Sequence, residues 1–386
     1  MPDTEPTKPN KQGYGADPLH HYGWLTPLFW HGMTPGVFWA MVLRNRCRLS
    51  VRGALTCLTI TGVGLFHLVG KLATDLLYGR RLRLAKPSQP PLFVLGHWRS
   101  GTTLLHELLI RDPRHVYPTT FECFAPYHFL LSERYITPLI GWLLPKKRPM
   151  DNVATGWDRP QEDEFALCSL GLPTPYRSWA FPQNGPVCGE WLTLDNVSPD
   201  DRRRWGESLR RFVGTLSLKR PGRVILKSPP HTARIKTILE HFPDARFVHI
   251  SRDPMKLFPS TVRLWKSLSD VQSLQGYRAE YDWIEEEVFS NLTRMYEAYD
   301  RDRSLIPEGR LVEMSYEDLV ADPKASLRAV YEQLDLGSFD NAEAGVDAYL
   351  AEEKDYKTNR FEMPAEVRER IAERWGAYAE RWGYEG

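Results

Sequence analysis

The sequence predicts an α/β fold in which a mainly parallel sheet is flanked by helices and preceded by a helical extension. Two observations predict this fold. Four short apolar runs, at residues 92–95, 224–226, 246–250 and 311–314, have the composition of strands buried on both faces. Amphipathic helical patterns alternate with these runs along the chain, and such alternation is typical of parallel sheets.

Length and composition permit a large core and exclude one class of partner. The chain has 386 residues, of which 42% are hydrophobic, which suits one large domain or two modest ones. Its 50 basic and 49 acidic residues give a formal net charge of +1. This balance argues against a protein that coats nucleic acid, so we expect no nucleic-acid partner, although it is compatible with a local cationic pocket.

The cysteines and the amino terminus indicate the cellular compartment in which the protein is expected. The five cysteines, at positions 47, 57, 123, 168 and 188, include no C-x-x-C pair. They exclude a disulfide scaffold and favour a reducing compartment. Residues 1–18 lack the apolar segment of a secretory signal. We interpret them as a disordered tail and expect a cytoplasmic protein.

A Pro-rich run at residues 87–91 marks the end of a helical extension that we place at residues 19–90. Residues 91–386 then form the α/β domain. Residues 150–221 interrupt its alternation of strands and helices and are rich in Pro, Trp and acidic residues. We expect this insertion to lie over the functional face of the sheet.

One segment of the extension, residues 54–70, carries no formal charge and has the lower length limit of a membrane span. On a helix, a set of apolar side chains shares one face: Leu55, Leu58, Leu65, Phe66, Val69, Leu72 and Leu76. This pattern favours a helix packed on the core. Contact of residues 54–77 with a membrane surface is the first alternative, and a true span is the second.

A distinctive polar group follows each predicted strand. The first strand leads into residues 96–103 (GHWRSGTT), and the other three lead into Lys227, Arg252 and Tyr316. Because the carboxyl ends of parallel strands meet at one edge of a sheet, these groups are expected to surround a single crevice.

The loop at residues 96–103 has the Gly-x-x-x-x-Gly spacing of a phosphate-binding loop, so the predicted fold is P-loop-like. Its backbone N–H groups and the following helix start would bind an anion. A nucleoside triphosphatase has Lys where this chain has Thr102, and the positive charge here is on Arg99. This arrangement suits an anion bound by Arg and hydroxyl groups, and we expect no metal.

Residues 91–105 (PLFVLGHWRSGTTLL) resemble the phosphosulfate-binding loop of sulfotransferases that use 3′-phosphoadenosine 5′-phosphosulfate (PAPS). Residues 247–254 (FVHISRDP), with Ser260 eight positions after Arg252, are similar to the 3′-phosphate site of that family. The resemblance covers residues 91–340 and is closest to the bacterial-type and tyrosyl-protein-like branches. It implies an enzyme that transfers the sulfuryl group of PAPS to an acceptor hydroxyl by in-line displacement.

The resemblance also implies which residues bind the co-substrate. Arg252 and Ser260 would bind the 3′-phosphate, and Tyr316 would lie near the nucleotide. Lys357, late in the chain, would be a further contact with the nucleotide. The loop would hold the 5′-phosphosulfate through a set of consecutive residues: Gly96, His97, Trp98, Arg99, Ser100, Gly101, Thr102 and Thr103.

Sulfuryl transfer requires cations that meet the charge of the leaving phosphate and a base that takes the acceptor proton. Lys227 and Arg99 are the candidate cations. For the base, the acidic cluster at residues 162–164 offers Glu164 or Glu162, although its charges could instead serve only to stabilise a helix start.

Glu122 is the rival base. It follows the loop helix by an interval near that of the catalytic glutamate in the tyrosyl-protein and heparan-type members of the family that the chain resembles. His97 and His231 are weaker candidates. The acceptor stays open among a glycan, a lipid and a tyrosine. Two other functions compete with sulfuryl transfer: a P-loop kinase or nucleotide hydrolase, and a membrane-associated nucleotide-binding protein without catalysis. Thr102 in place of Lys argues against the first, and the complete set of predicted site residues argues against the second.

Overall fold

The structure is a computed structural model that describes residues 26–45, 48–145, 155–276, 281–354 and 361–384. The predicted tail at residues 1–18, Cys47 and Lys357 lie outside the described residues.

The sheet of the described chain has five strands, and every pair of neighbours is parallel. The strands are β1 (Leu92–Leu95), β2 (His115–Val116), β3 (Arg223–Lys227), β4 (Arg246–Ser251) and β5 (Leu311–Ser315), in the spatial order β2-β3-β1-β4-β5. The predicted α/β class and its four strands are confirmed. The two-residue β2 was missed because it is too short to produce an apolar run.

Fourteen α-helices of the described residues surround the sheet. They are α1 (Pro35–Arg44), α2 (Val51–Leu84), α3 (Thr102–Leu109), α4 (Thr120–Phe124), α5 (Phe129–Ile140), α6 (Asp163–Ser169), α7 (Pro199–Lys219), α8 (Ile235–His241), α9 (Pro254–Val271), α10 (Trp283–Asp302), α11 (Tyr316–Ala321), α12 (Pro323–Gln333), α13 (Asp340–Glu352) and α14 (Ala365–Trp382). Short 3-10 turns occupy Phe29–Gly32, Gly141–Leu143, Pro175–Trp179, Pro182–Asn184, Gly189–Trp191, Pro229–Ala233 and Arg303–Leu305.

Side chains of the central strands enter two hydrophobic clusters, one on each face of the sheet. From β1, Phe93 and Leu95 join the larger cluster, whereas Leu92 and Val94 join the smaller one. This alternation follows from the two-residue period of a strand. The larger cluster also contains Trp30 from the amino-terminal extension, so the extension and the sheet share one core.

Strand order places the phosphate-type loop at the middle of the sheet edge. Strand β1 lies between β3 and β4, with Val94 in register with Lys227 and Leu95 in register with His249. The loop after β1 is therefore flanked by the ends of its two neighbours. This strand order brings the residues that follow β1, β3 and β4 together at the carboxyl ends of the strands, where the crevice is expected.

The apolar face of α2 is directed away from the core, and the interpretation of this face as core-packed is wrong. Leu58 and Leu76 are 67% and 85% exposed, whereas Cys57, Gly64 and His67 are buried. The face that docks on the protein is narrow and contains small and polar residues, which the hydropathy pattern does not mark as a core surface. Among the described helices, α2 is the one that is long and apolar enough to cross a membrane by length and composition.

The docking of α2 depends on a close backbone approach at Gly53. A Cβ atom there would lie 1.9 Å from the carbonyl oxygen of Leu274, whereas nothing lies within 4 Å of a Cβ added at Gly62 on the same helix. We expect Gly53→Ala to lower the free energy of unfolding by about 1–3 kcal/mol, because neither backbone can yield cheaply.

Urea unfolding and hydrogen exchange of α2 measure this effect. Gly62→Ala is the matched control and is expected to be neutral or stabilising by about 0.5–1 kcal/mol, since Ala favours helix more than Gly. Equal stability of the two variants would contradict the described docking of α2.

Candidate active site

The loop after β1 is held in a conformation that only particular residues adopt easily. Gly96 and Gly101 have φ values of 146° and 105°, and Arg99 has a φ of 70°. A Cβ at Gly101 would lie 2.4 Å from the ring of Tyr316. The Gly96 N–H donates to the Thr232 hydroxyl at 2.8 Å, which ties the loop to the segment after β3. The loop is therefore preformed and packs against the segments that follow β3 and β5.

Arg252 and Ser260, from the predicted 3′-phosphate site, contact this loop. The Arg99 Nε donates to the Ser260 Oγ at 2.9 Å, and the Arg252 Nη1 donates to the Arg99 carbonyl oxygen at 2.9 Å. The guanidinium of Arg252 also stacks 4.2 Å from the centre of the Tyr316 ring. The structure thus brings the residues predicted for both phosphate ends of one nucleotide into a single cationic group.

The loop offers groups that an anion would satisfy. The Ser100 Oγ is buried and has no hydrogen-bond partner among the described residues. Thr102 and Thr103 open α3, and the first backbone N–H groups of a helix have no partner within the helix. The positive end of the helix dipole adds to this preference for negative charge. These features fit a bound phosphate or phosphosulfate group.

Two loop side chains point into the protein. His97 is completely buried, and its Nδ1 lies 3.0 Å from the Trp98 carbonyl oxygen. Burial lowers the pKa of His97 to about 3, so the ring is neutral at neutral pH. The Trp98 indole Nε1 donates to the Tyr176 hydroxyl at 3.2 Å. His97 therefore contributes to the shape of the loop, and Trp98 links the loop to a second group of residues.

This second group is centred on the carboxylate of Glu162. Its Oε1 accepts from the Lys227 Nζ at 2.8 Å, and its Oε2 accepts from the Tyr176 hydroxyl at 2.5 Å. Lys227 is buried at the end of β3, whereas the side chain of Glu162 keeps 16% exposure. The Glu162 carboxylate thus binds the ammonium of Lys227 and is still partly accessible.

Tyr176 was not predicted from the sequence, and its position within a Pro-rich turn gives no motif that could have marked it. Burial and the neighbouring carboxylates of Glu162 and Glu164 raise the pKa of Tyr176 well above its ordinary value. The phenol therefore keeps its proton and donates to Glu162. Trp98, Tyr176, Glu162 and Lys227 form one continuous hydrogen-bonded chain from the loop to the end of β3.

The other two acids of the cluster are used for structure. Glu164 is buried and binds Arg234 through both oxygens, at 2.6 and 3.1 Å, with Arg234 also stacked on Trp205. Asp163 is also buried. Burial acts to raise the pKa of Asp163, but the charge and hydrogen bond of His231 and the hydrogen bond of Ser228 lower it overall. Glu164, one of the two bases expected from this cluster, thus has both oxygens on Arg234 in the protein interior, whereas Glu162 is partly exposed.

Glu122 and His231 also have structural partners. The Glu122 carboxylate caps the start of α4 at the Thr119 N–H and pairs with Lys219 and Arg220 at 2.8 and 2.7 Å. The His231 Nε2 lies 2.7 Å from Asp163, and the ring is fully buried. Neither residue is placed with the Lys227 group, so the structure does not bring Glu122 or His231 into the position expected of a base.

An apolar cavity opens beside the Glu162 carboxylate. It has a volume of about 100 Å³, and seven of its lining residues are polar: Thr26, Thr120, Thr155, Arg159, Gln161, Glu162 and Gln272. Aromatic and aliphatic side chains form most of its wall: Phe29, Trp98, Phe124, Leu144, Phe165, Trp179, Leu264 and Leu268. A polar group at the end of an apolar chain could therefore reach Glu162 while its chain contacts the aromatic wall.

Comparison of the sequence with known proteins identifies one family. Residues 90–341 match the sequence profile described as the Sulfotransferase family. The chain is 40% identical over 362 residues to proteins named omega-hydroxy-beta-dihydromenaquinone-9 sulfotransferase Stf3 from Mycobacterium bovis and Mycobacterium tuberculosis. That alignment covers 94% of this chain and 92% of the relative.

Solved structures show the same fold. Sulfotransferase STF9 from Mycobacterium avium superimposes with a TM-score of 0.63 at 21% identity, and the match covers 92% of this chain and 97% of that one. Sulfotransferase STF1 from Mycobacterium tuberculosis gives a TM-score of 0.57 at 18% identity over 90% and 88% of the two chains. With a matching family profile over 90–341 and a 40% identical relative over almost its whole length, the protein belongs to the sulfotransferase family and is an enzyme of that family.

Proposed function

We propose that this sulfotransferase transfers the sulfuryl group of PAPS to the terminal hydroxyl of an apolar lipid, with Glu162 as the base. The observation that carries the proposal is the position of the Glu162 carboxylate. It binds Lys227 in the cationic crevice and also lines the apolar cavity. Donor and acceptor sites would therefore meet at one carboxylate.

The donor side of the proposal is supported by the loop and the group around Arg252. The N–H groups at the start of α3 and the Ser100 hydroxyl would hold the 5′-phosphosulfate, while Arg252 and Ser260 would hold the 3′-phosphate. When bound, PAPS supplies a sulfuryl group whose S–O bond to the 5′-phosphate breaks as the bond to the acceptor oxygen forms. No Lys occupies the loop position that a triphosphatase requires.

Different residues around Glu162 would accept the proton and stabilise the developing negative charge. In the proposed reaction Glu162 takes the proton of the acceptor hydroxyl, and the ammonium of Lys227 meets the charge that develops on the leaving phosphate. Tyr176 is a positioning residue: its hydroxyl holds Oε2 of Glu162. Oε1, which binds Lys227 in the structure, would serve the acceptor when the Lys227 ammonium turns to the leaving phosphate. Because Trp98 binds the same hydroxyl, the position of the base is coupled to that of the loop.

The acceptor side favours a lipid over a glycan or a tyrosine. The wall beside Glu162 is mainly aromatic and aliphatic, so it offers an apolar chain more contact area than it offers a sugar. The curated relatives are named for a hydroxylated menaquinone derivative, which is an apolar chain bearing a hydroxyl group. We therefore propose a lipid alcohol as the acceptor class of this enzyme and name no particular lipid.

The donor assignment predicts the nucleotide preference. Thermal shift with 3′-phosphoadenosine 5′-phosphate (PAP) should stabilise the protein without magnesium, and ATP should stabilise it much less. Arg252→Ala should weaken PAP binding by about 10- to 100-fold, because a charge-assisted hydrogen bond is lost. Arg203→Ala, an exposed arginine on α7, is the control. Preference for ATP with magnesium would favour a kinase or hydrolase instead.

The base assignment predicts opposite phenotypes for two neighbouring acids. Glu162→Gln should lower kcat by about a hundredfold to ten-thousandfold while PAP affinity is kept, and its loss of stability should be smaller than that of Glu164→Gln because Glu162 is partly exposed. Glu164→Gln should lower stability by about 3–5 kcal/mol, because the buried charge of Arg234 loses its partner. In the folded fraction of that variant we expect nearly normal kcat.

Steady-state rates and urea unfolding of both variants measure these effects. Full activity of Glu162→Gln, or a kcat loss confined to Glu164→Gln, would assign the base to another residue.

The acceptor assignment predicts a preference for chain length. With detergent-dispersed alcohols, kcat/KM should rise as the apolar chain lengthens, because each added CH₂ that enters the cavity contributes about 0.8 kcal/mol. A tyrosyl peptide and a saccharide of similar concentration are the comparison acceptors. Faster sulfation of either one would contradict the lipid assignment.

A further inference from the structure

Helix α2 carries an apolar stripe on its solvent-facing side. Positions three and four residues apart along its length are exposed: Leu55, Leu58, Leu65, Val69, Leu72 and Leu76. The opposite side is buried, through Cys57, Ile60, Gly64, His67 and Thr74. Contiguous exposed apolar surface of this extent marks a partner surface on a folded protein.

A second apolar patch lies at the end of α5 and the turn that follows it. Tyr135, Leu139 and Trp142 are each about 70% exposed. Two residues after Trp142, Leu144 lines the apolar cavity beside Glu162. The patch is therefore next to the cavity in the chain.

The two patches are on elements that pack against each other. The His67 Nδ1 of α2 lies 2.7 Å from the Nε2 of His128, which directly precedes α5, and the ring of Phe66 contacts the same histidine. On its buried side α2 also contacts the Phe29–Gly32 turn, because the His67 Nε2 lies 2.9 Å from the His31 carbonyl oxygen. Phe29 lines the cavity, so both exposed patches adjoin elements that form the cavity wall.

Basic side chains lie at both ends of the α2 stripe. Arg48 and Arg52 are exposed at its start, and Arg80, Arg81, Arg83 and Lys86 are exposed at its end. Between them, residues 54–70 have no formal charge, and the charges of Lys71 and Asp75 are paired with each other at 2.6 Å. An apolar centre with cationic ends matches the apolar interior and anionic head groups of a lipid surface.

We propose that α2, together with Tyr135, Leu139 and Trp142, forms a docking surface on which the enzyme lies on an anionic lipid bilayer with the cavity mouth facing the lipid. Helix α2 would lie in the plane of the membrane, because its buried side is packed on the protein and cannot face acyl chains. The inference rests on the proposed lipid acceptor only in explaining why the cavity opens at this surface.

Charge also argues for a bilayer over a second copy of the chain. In an antiparallel pair of α2 helices, the arginines at the start of one helix would meet those at the end of the other. In a parallel pair, like ends would meet. Both arrangements place cations against cations, which disfavours self-association through this stripe.

Sedimentation with vesicles tests the proposal without catalysis. The full chain should bind vesicles of phosphatidylcholine with phosphatidylglycerol and bind phosphatidylcholine vesicles much less, with affinity that falls as salt rises. Leu72→Glu should weaken binding about tenfold or more, because an apolar contact is replaced by a charge that anionic lipid repels. Leu305→Glu replaces a leucine outside the surface that is 51% exposed, against 60% for Leu72, and should leave binding unchanged.

Arg80→Gln with Arg81→Gln should also weaken binding to the anionic vesicles and reduce its dependence on salt. None of these variants should change thermal stability or PAP binding. Absence of vesicle binding, or equal binding to neutral vesicles, would overturn the proposal. Resistance to alkaline extraction from membranes would overturn the in-plane orientation, and a dimer that Leu72→Glu dissociates would assign the stripe to a second copy.

The result is separable from the proposed function. Vesicle binding without sulfation of any lipid alcohol would leave the docking surface standing and refute the acceptor. Sulfation of dispersed lipid alcohols without vesicle binding would do the reverse.

Discussion

The ion pair between Lys227 and Glu162 connects the two halves of the site. Lys227 ends β3 beside the loop after β1, and Glu162 precedes α6 at the edge of the apolar cavity. Their contact at 2.8 Å sets how far the crevice around the loop lies from the apolar cavity. Tyr176 and Trp98 extend this contact back to the loop, so the carboxylate has little freedom to move.

Three consecutive acids at residues 162–164 have different surroundings and therefore different uses. Asp163 is buried with His231 and Ser228, and Glu164 is buried with Arg234. These two pairs attach α6 to the segment after β3. Glu162, at the helix start, is left partly exposed and directed at the crevice. The buried pairs thus position the exposed acid, since any shift of α6 would separate them.

Parts of the structure that depend on local patterns could be predicted from the sequence, whereas parts that depend on side-chain partners could not. The apolar runs located β1, β3, β4 and β5 because strands buried on both faces need continuous apolar residues. The glycine spacing located the loop. The different surroundings of Glu162 and Glu164 were not predictable, because the burial of Glu164 depends on Arg234, which is seventy residues away in the chain. Tyr176 has no local signature either.

Helix α2 shows a different limit. Its hydropathy pattern correctly separates two faces, but it does not say which face meets the protein. Glycine and small residues at Gly53, Cys57 and Gly64 allow close backbone approach on the polar side, and the leucine stripe is left outside. The hydropathy pattern of a helix therefore does not identify the face that packs on the protein, and the tertiary contacts do.

A crystal structure with PAP and a lipid alcohol would test the central claim most directly. We predict that the acceptor hydroxyl lies within about 2.6–3.2 Å of a Glu162 oxygen, with its chain along the Trp179 wall and the Lys227 ammonium directed at the 5′-phosphate. A hydroxyl bound instead at Glu122, or a nucleotide whose 3′-phosphate lies away from Arg252, would contradict the account.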